Sequence, residues 1–217
     1  MRAILMALAL VTPATALACE VALVLAIDVS GSIDAGEYRT QATGTADALR
    51  DPAVSSALLE SQVAISVLHW SGQGQQQVVL PWRQMRSPDD IAQAATQIRT
   101  APRAFARSDT AVGEAIDAAL SLFATAPVCA RRIIDISGDG PENSGTTVRV
   151  ARSRAEAAGV AINAIAIEDL GQSKAITRFY LNWVITRGGF VITSRGVAAY
   201  PQAIRAKLLR ELEKPAS

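Results

Sequence analysis

Val21 to Ile27 reads VALVLAI, an almost unbroken aliphatic run with three β-branched members, as expected of a strand buried on both faces. It breaks abruptly into Asp28-Val29-Ser30-Gly31-Ser32-Ile33-Asp34, a small, oxygen-rich turn, and Glu37 to Leu49 then has the mixed polarity of a one-sided helix. The alternation continues. Ser61 to Trp70 predicts a second strand, and the Ser71-Gly72-Gln73-Gly74 turn leads into a short third strand over Gln76 to Leu80, which Pro81 is expected to end. A Gly-containing turn between two β-rich runs marks a hairpin, so the third strand should be antiparallel and at an edge.

Ser87-Pro88-Asp89-Asp90 opens a helix to about Thr100, with serine as cap and proline in the first position. A loop from Ala101 to Arg107 precedes a well-patterned amphipathic helix, Ala111 to Phe123. Arg131 to Ser137 predicts a fourth strand ending in the sharp Gly138-Asp139-Gly140-Pro141 turn. Thr146 to Ala158 is a helix stopped by Gly159, Val160 to Ile167 a fifth strand, and Lys174 to Val184 an aromatic-rich helix. Gly189 to Thr193 gives a sixth strand and Val197 to Glu213 a terminal amphipathic helix. Strands alternating with helices predict a doubly wound α/β fold: a six-stranded, mostly parallel sheet, helices on both faces, one antiparallel edge strand.

The chain has 217 residues, half of them hydrophobic and 19% charged, which suits one sizeable core. Residues 1–18 have the form of an export signal: Arg2 as positive region, Ala3 to Val11 as apolar region, Ala16-Leu17-Ala18 as small-x-small cleavage site. The apolar run is too short for a membrane span. Residues 19–217 are then the mature domain, periplasmic or secreted. A lipid anchor on Cys19 is the alternative, although Leu17 stands one place too late for a good lipidation box. Removing Arg2 brings Lys+Arg from 21 to 20 against 20 Asp+Glu, a balance that points to no nucleic acid or acidic polymer as partner.

Two cysteines in an exported chain favour a pair. Cys19 lies 9 positions before Asp28, and Cys129 lies 10 before Asp139. If those segments are neighbouring parallel strands, the thiols come level at the sheet end opposite the oxygen-rich turns. A Cys19–Cys129 bridge follows, closing a loop of the length worth about 4–5 kcal/mol in the chain-entropy model.

Three turns with oxygen side chains map to the carboxyl ends of strands, where open α/β sheets collect ligands. They are Asp28-x-Ser30-x-Ser32, Asp109-Thr110 and Asp139-Gly140. A carboxylate and two hydroxyls at alternate positions suit a hard cation such as Mg²⁺. Their order and spacing resemble the von Willebrand factor A domain with its metal-ion-dependent adhesion site, on Asp28, Ser30, Ser32, Thr110 and the Asp139-Gly140 pair. The resemblance covers Cys19 through the terminal helix. Ile134 to Gly140 (IDISGDG) looks like an exported bacterial branch whose role is not established.

The resemblance implies Ser30, Ser32 and Thr110 as direct or near-direct ligands of Mg²⁺ or Mn²⁺, with Asp28 and Asp139 acting largely through water. Neutral hydroxyl ligands leave a divalent ion under-neutralised, so a carboxylate on a protein or peptide partner can complete its shell. The sequence departs from the family in two places. Asp109 precedes the threonine where small residues are usual, either adding a carboxylate near the ion or capping the following helix. Ser137-Gly138 stands before Asp139 where a hydroxyl residue is more usual, which leaves the reach of Asp139 open.

Several residues have plainer readings. Asp135, within a buried strand, is either a support of the site or is satisfied by loop N–H groups. His69, the sole histidine, is expected to be a packed or rim residue rather than a ligand. Arg83, Arg86 and Arg99 read as solvated, while Arg103 and Arg107 could reach the rim and attract an acidic partner. The serines lack a base and a nucleophile elbow, and no phosphate-binding glycine loop is present. No catalytic residue is assigned. The enzymatic alternative is a metal-dependent phosphoester hydrolase using Asp28, for which Ser30 stands where a second carboxylate is wanted. A structural or assembly module with an empty site is the third reading.

Overall fold

A computed structural model of the chain describes residues 19–106, 108–168 and 175–213. The expected signal segment, Arg107 and Lys174 lie outside the described residues. The aliphatic run forms β1, Val21–Asp28, buried along its whole length. Asp34 caps α1 (Ala35–Arg50) with a full capping box: its carboxylate accepts from Gly36 and Glu37 N–H, and Glu37 returns to the Asp34 N–H. A helix that the periodicity reading passes over, α2 (Pro52–Glu60), follows at once, with Asp51 as cap and proline at its start. The chain turns at Ser61 and Gln62 on leaving it, so β2 is the shorter Ala64–Trp70.

The hairpin is present and β3 pairs antiparallel with β2, but it runs Gln76–Gln84, straight through Pro81. The register slips between Ile65 and Val67 and again between Val67 and Leu68. A bulged edge strand accommodates a residue with no N–H to give, so proline does not terminate it. Then come α3 (Pro88–Thr100, capped by Ser87), α4 (Val112–Leu122), β4 (Arg131–Gly138), α5 (Val148–Ala157) and β5 (Ala161–Glu168). Gly159, at φ 65°, takes the left-handed turn that ends α5. A short helix α6 (Ala175–Phe179) runs into a π-helical turn, Tyr180–Val184, before β6 (Val191–Arg195) and α7 (Tyr200–Leu212).

The six strands lie in the order β3-β2-β1-β4-β5-β6, all parallel except β3. Period-two alternation divides β1 between two cores. Leu23, Leu25 and Ile27 pack with α1, α3 and α7, whereas Val24 and Ala26 pack with α4, α5 and the 180–184 turn. The order reverses between β1 and β4, so their carboxyl ends flank the crevice where such sheets bind ligands.

The opposite end is closed by the Cys19–Cys129 disulfide. Val21 pairs with Arg131, and the Ala130 N–H donates to the Cys19 carbonyl, which levels the two cysteines as their spacing requires. Asp135 corrects both readings offered for it. It neither supports the metal turn nor meets loop N–H groups; it receives the ammonium of Lys207 from α7 at 2.7 Å. Lys207, with a fully buried side chain, also pairs with Glu211, whose carboxylate accepts from Asn163. Among the described residues no helix is long and apolar enough to cross a membrane.

Candidate metal centre at the carboxyl end of the sheet

Asp28 is the last residue of β1 and points to the α4 and α5 side, fully buried. Its Oδ1 accepts the Ser30 N–H at 2.7 Å, an Asx turn that folds the chain back. The turn is held from outside as well. Val29 N–H donates to Trp70 O, Gly31 N–H to Ser108 O, and the Arg103 guanidinium to the carbonyls of Val29 and Ser30, the last at 2.7 Å. Arg103 is therefore a brace beneath the turn, committed to backbone oxygens. Ile33 and Val29 bury themselves with Tyr38 and Ala42 against Phe105, which anchors the far side.

The hydroxyls form a continuous chain across three loops. Thr110 Oγ1 lies 3.5 Å from Ser30 Oγ, Ser30 Oγ 3.2 Å from Ser32 Oγ, and Ser32 Oγ donates to Asp139 Oδ1 at 2.7 Å. All five residues, Asp28, Ser30, Ser32, Thr110 and Asp139, are thus brought together, and Asp139 reaches the turn despite the Ser137-Gly138 that precedes it. Ser30 and Thr110 are buried, whereas Ser32 faces solvent.

Thr110 is fixed by residues that sequence reasoning missed. Asn143 accepts the Thr110 N–H at 2.8 Å and returns its own N–H to the Thr110 carbonyl. Glu142 accepts from Gly113 N–H at the start of α4 and from Val148 N–H at the start of α5, serving both helices. Asp109 is exposed and does not cap α4, whose N-cap position is Ala111. A carboxylate or amide shared between two distant loops leaves no local pattern, so neither Glu142 nor Asn143 carried a signal. Ser71 Oγ bonds the Asp109 carbonyl and Ser71 O accepts from Ala111, tying the β2–β3 hairpin to the same loop.

Electrostatics mark Asp28. Burial, reinforced by the charge of Asp139 and opposed by the Ser30 hydrogen bonds, pushes its carboxyl up to about 7. Its second oxygen, Oδ2, is buried with no hydrogen-bond partner. An orphaned carboxylate oxygen beside convergent hydroxyls is the donor arrangement of a hard divalent ion. Among the described residues no cluster of three or more His, Cys, Asp or Glu side chains could hold a metal, so the set is one of hydroxyls flanked by carboxylates, without the nitrogen and sulfur that zinc favours. His69 is buried edge-on to Tyr38 at 5.4 Å, and burial holds it down to about 4, a neutral packing residue. Arg83 and Arg86 bond surface glutamines, and Arg99 pairs with Asp47.

Among curated proteins none matches the chain. Solved structures do. A von Willebrand factor type A protein from Catenulispora acidiphila aligns over 89% of this chain and 43% of its own, at 20% identity and a TM-score of 0.61. Proximal thread matrix protein 1 from the mussel byssus, with a zinc-occupied MIDAS motif, aligns over 89% of this chain and 46% of its own, at 16% identity and a TM-score of 0.64. The von Willebrand factor domain of a type V pili tip protein from Porphyromonas gingivalis aligns over 93% of this chain and 99% of its own, at 11% identity and a TM-score of 0.63. The chain spans less than half the length of the first two. At such identities the likeness is one of fold, and it establishes the von Willebrand factor A-like α/β architecture. A family model matches residues 18–216, nearly the whole sequence, so the chain belongs to the family described as "Protein of unknown function (DUF1194)".

Proposed function

We propose that the protein is an exported binding module that grips a protein or peptide partner through a divalent ion at the carboxyl end of its sheet. Ser30, Ser32 and Thr110 would be the direct ligands, and Asp28 and Asp139 would hold coordinated water. The ion supplies a Lewis-acidic position facing outward, which a partner carboxylate can fill. Hydroxyl ligands leave positive charge on Mg²⁺ or Mn²⁺, and that residual charge is what an acidic side chain is drawn to.

The observation that carries this reading is the buried, unpartnered Asp28 Oδ2 next to the Thr110-Ser30-Ser32-Asp139 chain of oxygens. Leaving such an oxygen without a partner costs free energy that an ion and its water shell would recover. Two findings on other proteins agree: the mussel byssus protein carries zinc at the equivalent kind of motif, and the Porphyromonas gingivalis domain belongs to a pilus tip. The disulfide fits an oxidising compartment, and with it the reading of residues 1–18 as an export signal.

A phosphoester hydrolase using Asp28 is disfavoured by the same geometry, because a nucleophile must reach substrate and Asp28 is fully buried. Calorimetric titration with Mg²⁺ and Mn²⁺ tests the proposal. Saturable heat that disappears in Asp28→Ala, together with chelator-sensitive capture of a periplasmic protein, is the expected result. Absence of divalent binding by the unaltered protein would refute it.

A further inference from the structure

The π-helical turn at Tyr180–Val184 delivers an aromatic side chain into the candidate site on the α4 and α5 face of the sheet, the face to which Asp28 points. Single π turns inside helices recur at functional positions. Tyr180 is fully buried in the core formed with α4 and α5, yet its hydroxyl has no hydrogen-bond partner. A buried hydroxyl without a partner requires explanation, and so does a second orphan in the same core, the Trp70 indole N–H.

Gly138 locates these atoms. A Cβ placed on it would stand 2.2 Å from Tyr180 Oη, 3.0 Å from Asp28 Oδ2 and 3.4 Å from the Trp70 ring edge at Cζ2. Tyr180 Oη and Asp28 Oδ2 are therefore no farther apart than the first two lengths laid end to end, within the span of one bridging water. One unpaired donor, one unpaired acceptor and the edge of the Trp70 ring converge on the spot that glycine leaves open. The Ser137-Gly138 departure from the usual family pattern thereby acquires a reason, since any side chain at 138 would occupy the place of the phenol oxygen.

We propose that Tyr180, assisted by Trp70, is a positioning residue for Asp28: its O–H holds the outer carboxylate oxygen, directly or through one water, when the divalent ion is bound. The inference rests on the metal-binding reading above. A donor on Oδ2 fixes the carboxylate orientation and offsets the burial of its charge, so the ion meets an aligned Asp28. Tyr180 does not touch the ion.

The test is calorimetric Mg²⁺ and Mn²⁺ binding by Tyr180→Phe, with Tyr200→Phe as control, a buried tyrosine on the opposite face that bonds Thr45. A charge-assisted hydrogen bond predicts about a tenfold weaker Kd for Tyr180→Phe and none for the control. Steric occupancy is read separately in thermal melts. Gly138→Ala should lower Tm in the unaltered chain, and much less when combined with Tyr180→Phe, because the colliding oxygen is gone. An unchanged Kd in Tyr180→Phe, with the unaltered protein binding normally, overturns the inference alone. A Gly138→Ala loss that is the same in both backgrounds overturns it too. No divalent binding by the unaltered protein overturns the underlying metal reading instead.

Discussion

Replacing Lys207 by methionine should expose how much the buried charge cluster beneath α7 costs to break. The Lys207 side chain is fully buried and lies 2.7 Å from Asp135, which is itself almost wholly buried, with Glu211 on its other side. Burial already pushes the Asp135 carboxyl above its ordinary range against the pull of Lys207, and Glu211 adds to the push. Methionine fills the space but removes the pull. Asp135 must then stay charged without a partner or take a proton in the folded state. Removing one partner of a buried ion pair costs about 3–5 kcal/mol, because the other charge is left uncompensated.

The sign follows from linkage. Asp135 of the unaltered chain already sits at about 7, and removing Lys207 raises it further, so below pH 7 both folded chains carry the proton and their difference is flat; it widens as pH rises through 7, where only the variant must keep its carboxyl protonated. Urea unfolding at pH 6 and pH 8.5, comparing Lys207→Met with the unaltered chain, measures it. A loss under about 1 kcal/mol at pH 7, or a loss no larger at pH 8.5 than at pH 6, refutes the reasoning. Converting the whole cluster (Asp135→Leu, Lys207→Met and Glu211→Leu together) should recover most of the loss, because apolar replacements of buried ion triads are often neutral or better.

His69→Phe keeps a ring against Tyr38 and removes a group that burial holds at about 4 rather than 6.5, so the unaltered chain should lose up to about 3 kcal/mol relative to the variant between pH 6.5 and 4. Acidic groups common to both chains cancel in that difference; a gap independent of pH in urea midpoints would count against it. Reducing the Cys19–Cys129 bridge, which spans 110 residues, should lower stability by up to about 4–5 kcal/mol in denaturant melts with and without reductant. Arg103→Met should leave the fold intact, because the stem is retained, while weakening divalent binding several-fold through the lost brace on Val29 and Ser30; an unchanged calorimetric Kd would show that the turn holds itself.

The sheet was legible because its code is local and repeated. VALVLAI and the IIDIS of the fourth strand are each buried on both faces, and such runs read directly as strands in a parallel sheet. The Cys19 and Cys129 spacings carried the register of β1 against β4 because parallel strands advance at the same rate. Pro81 misled the boundary of β3 because a bulge, which depends on the partner strand, relieves the missing N–H. The helix α2 escaped because only Asp51 and Pro52 announce it, and its nine residues are too few to establish a period. Asp135 was misplaced for a different reason: its partner, Lys207, sits 72 positions later on α7, and pairing across that distance is set by packing.

The candidate site divides along the same line. Asp28, Ser30 and Ser32 lie on one turn, so alternate spacing was enough to assign them a shared purpose. The residues that hold the surroundings come from elsewhere: Arg103, from the loop after α3, braces the turn itself, while Asn143 and Glu142, from the loop after β4, fix Thr110 and the starts of α4 and α5. Each bonds a backbone group, and such groups are present at every position, so nothing in the local sequence singles out the contact. Oxygen-bearing residue types are thus written in short motifs, while the geometry that gathers them is written in long-range hydrogen bonds. Gly138 is where the two meet. It breaks the expected motif locally, and the break is intelligible only once the hydroxyl of Tyr180, 42 residues away, is seen to fill the space.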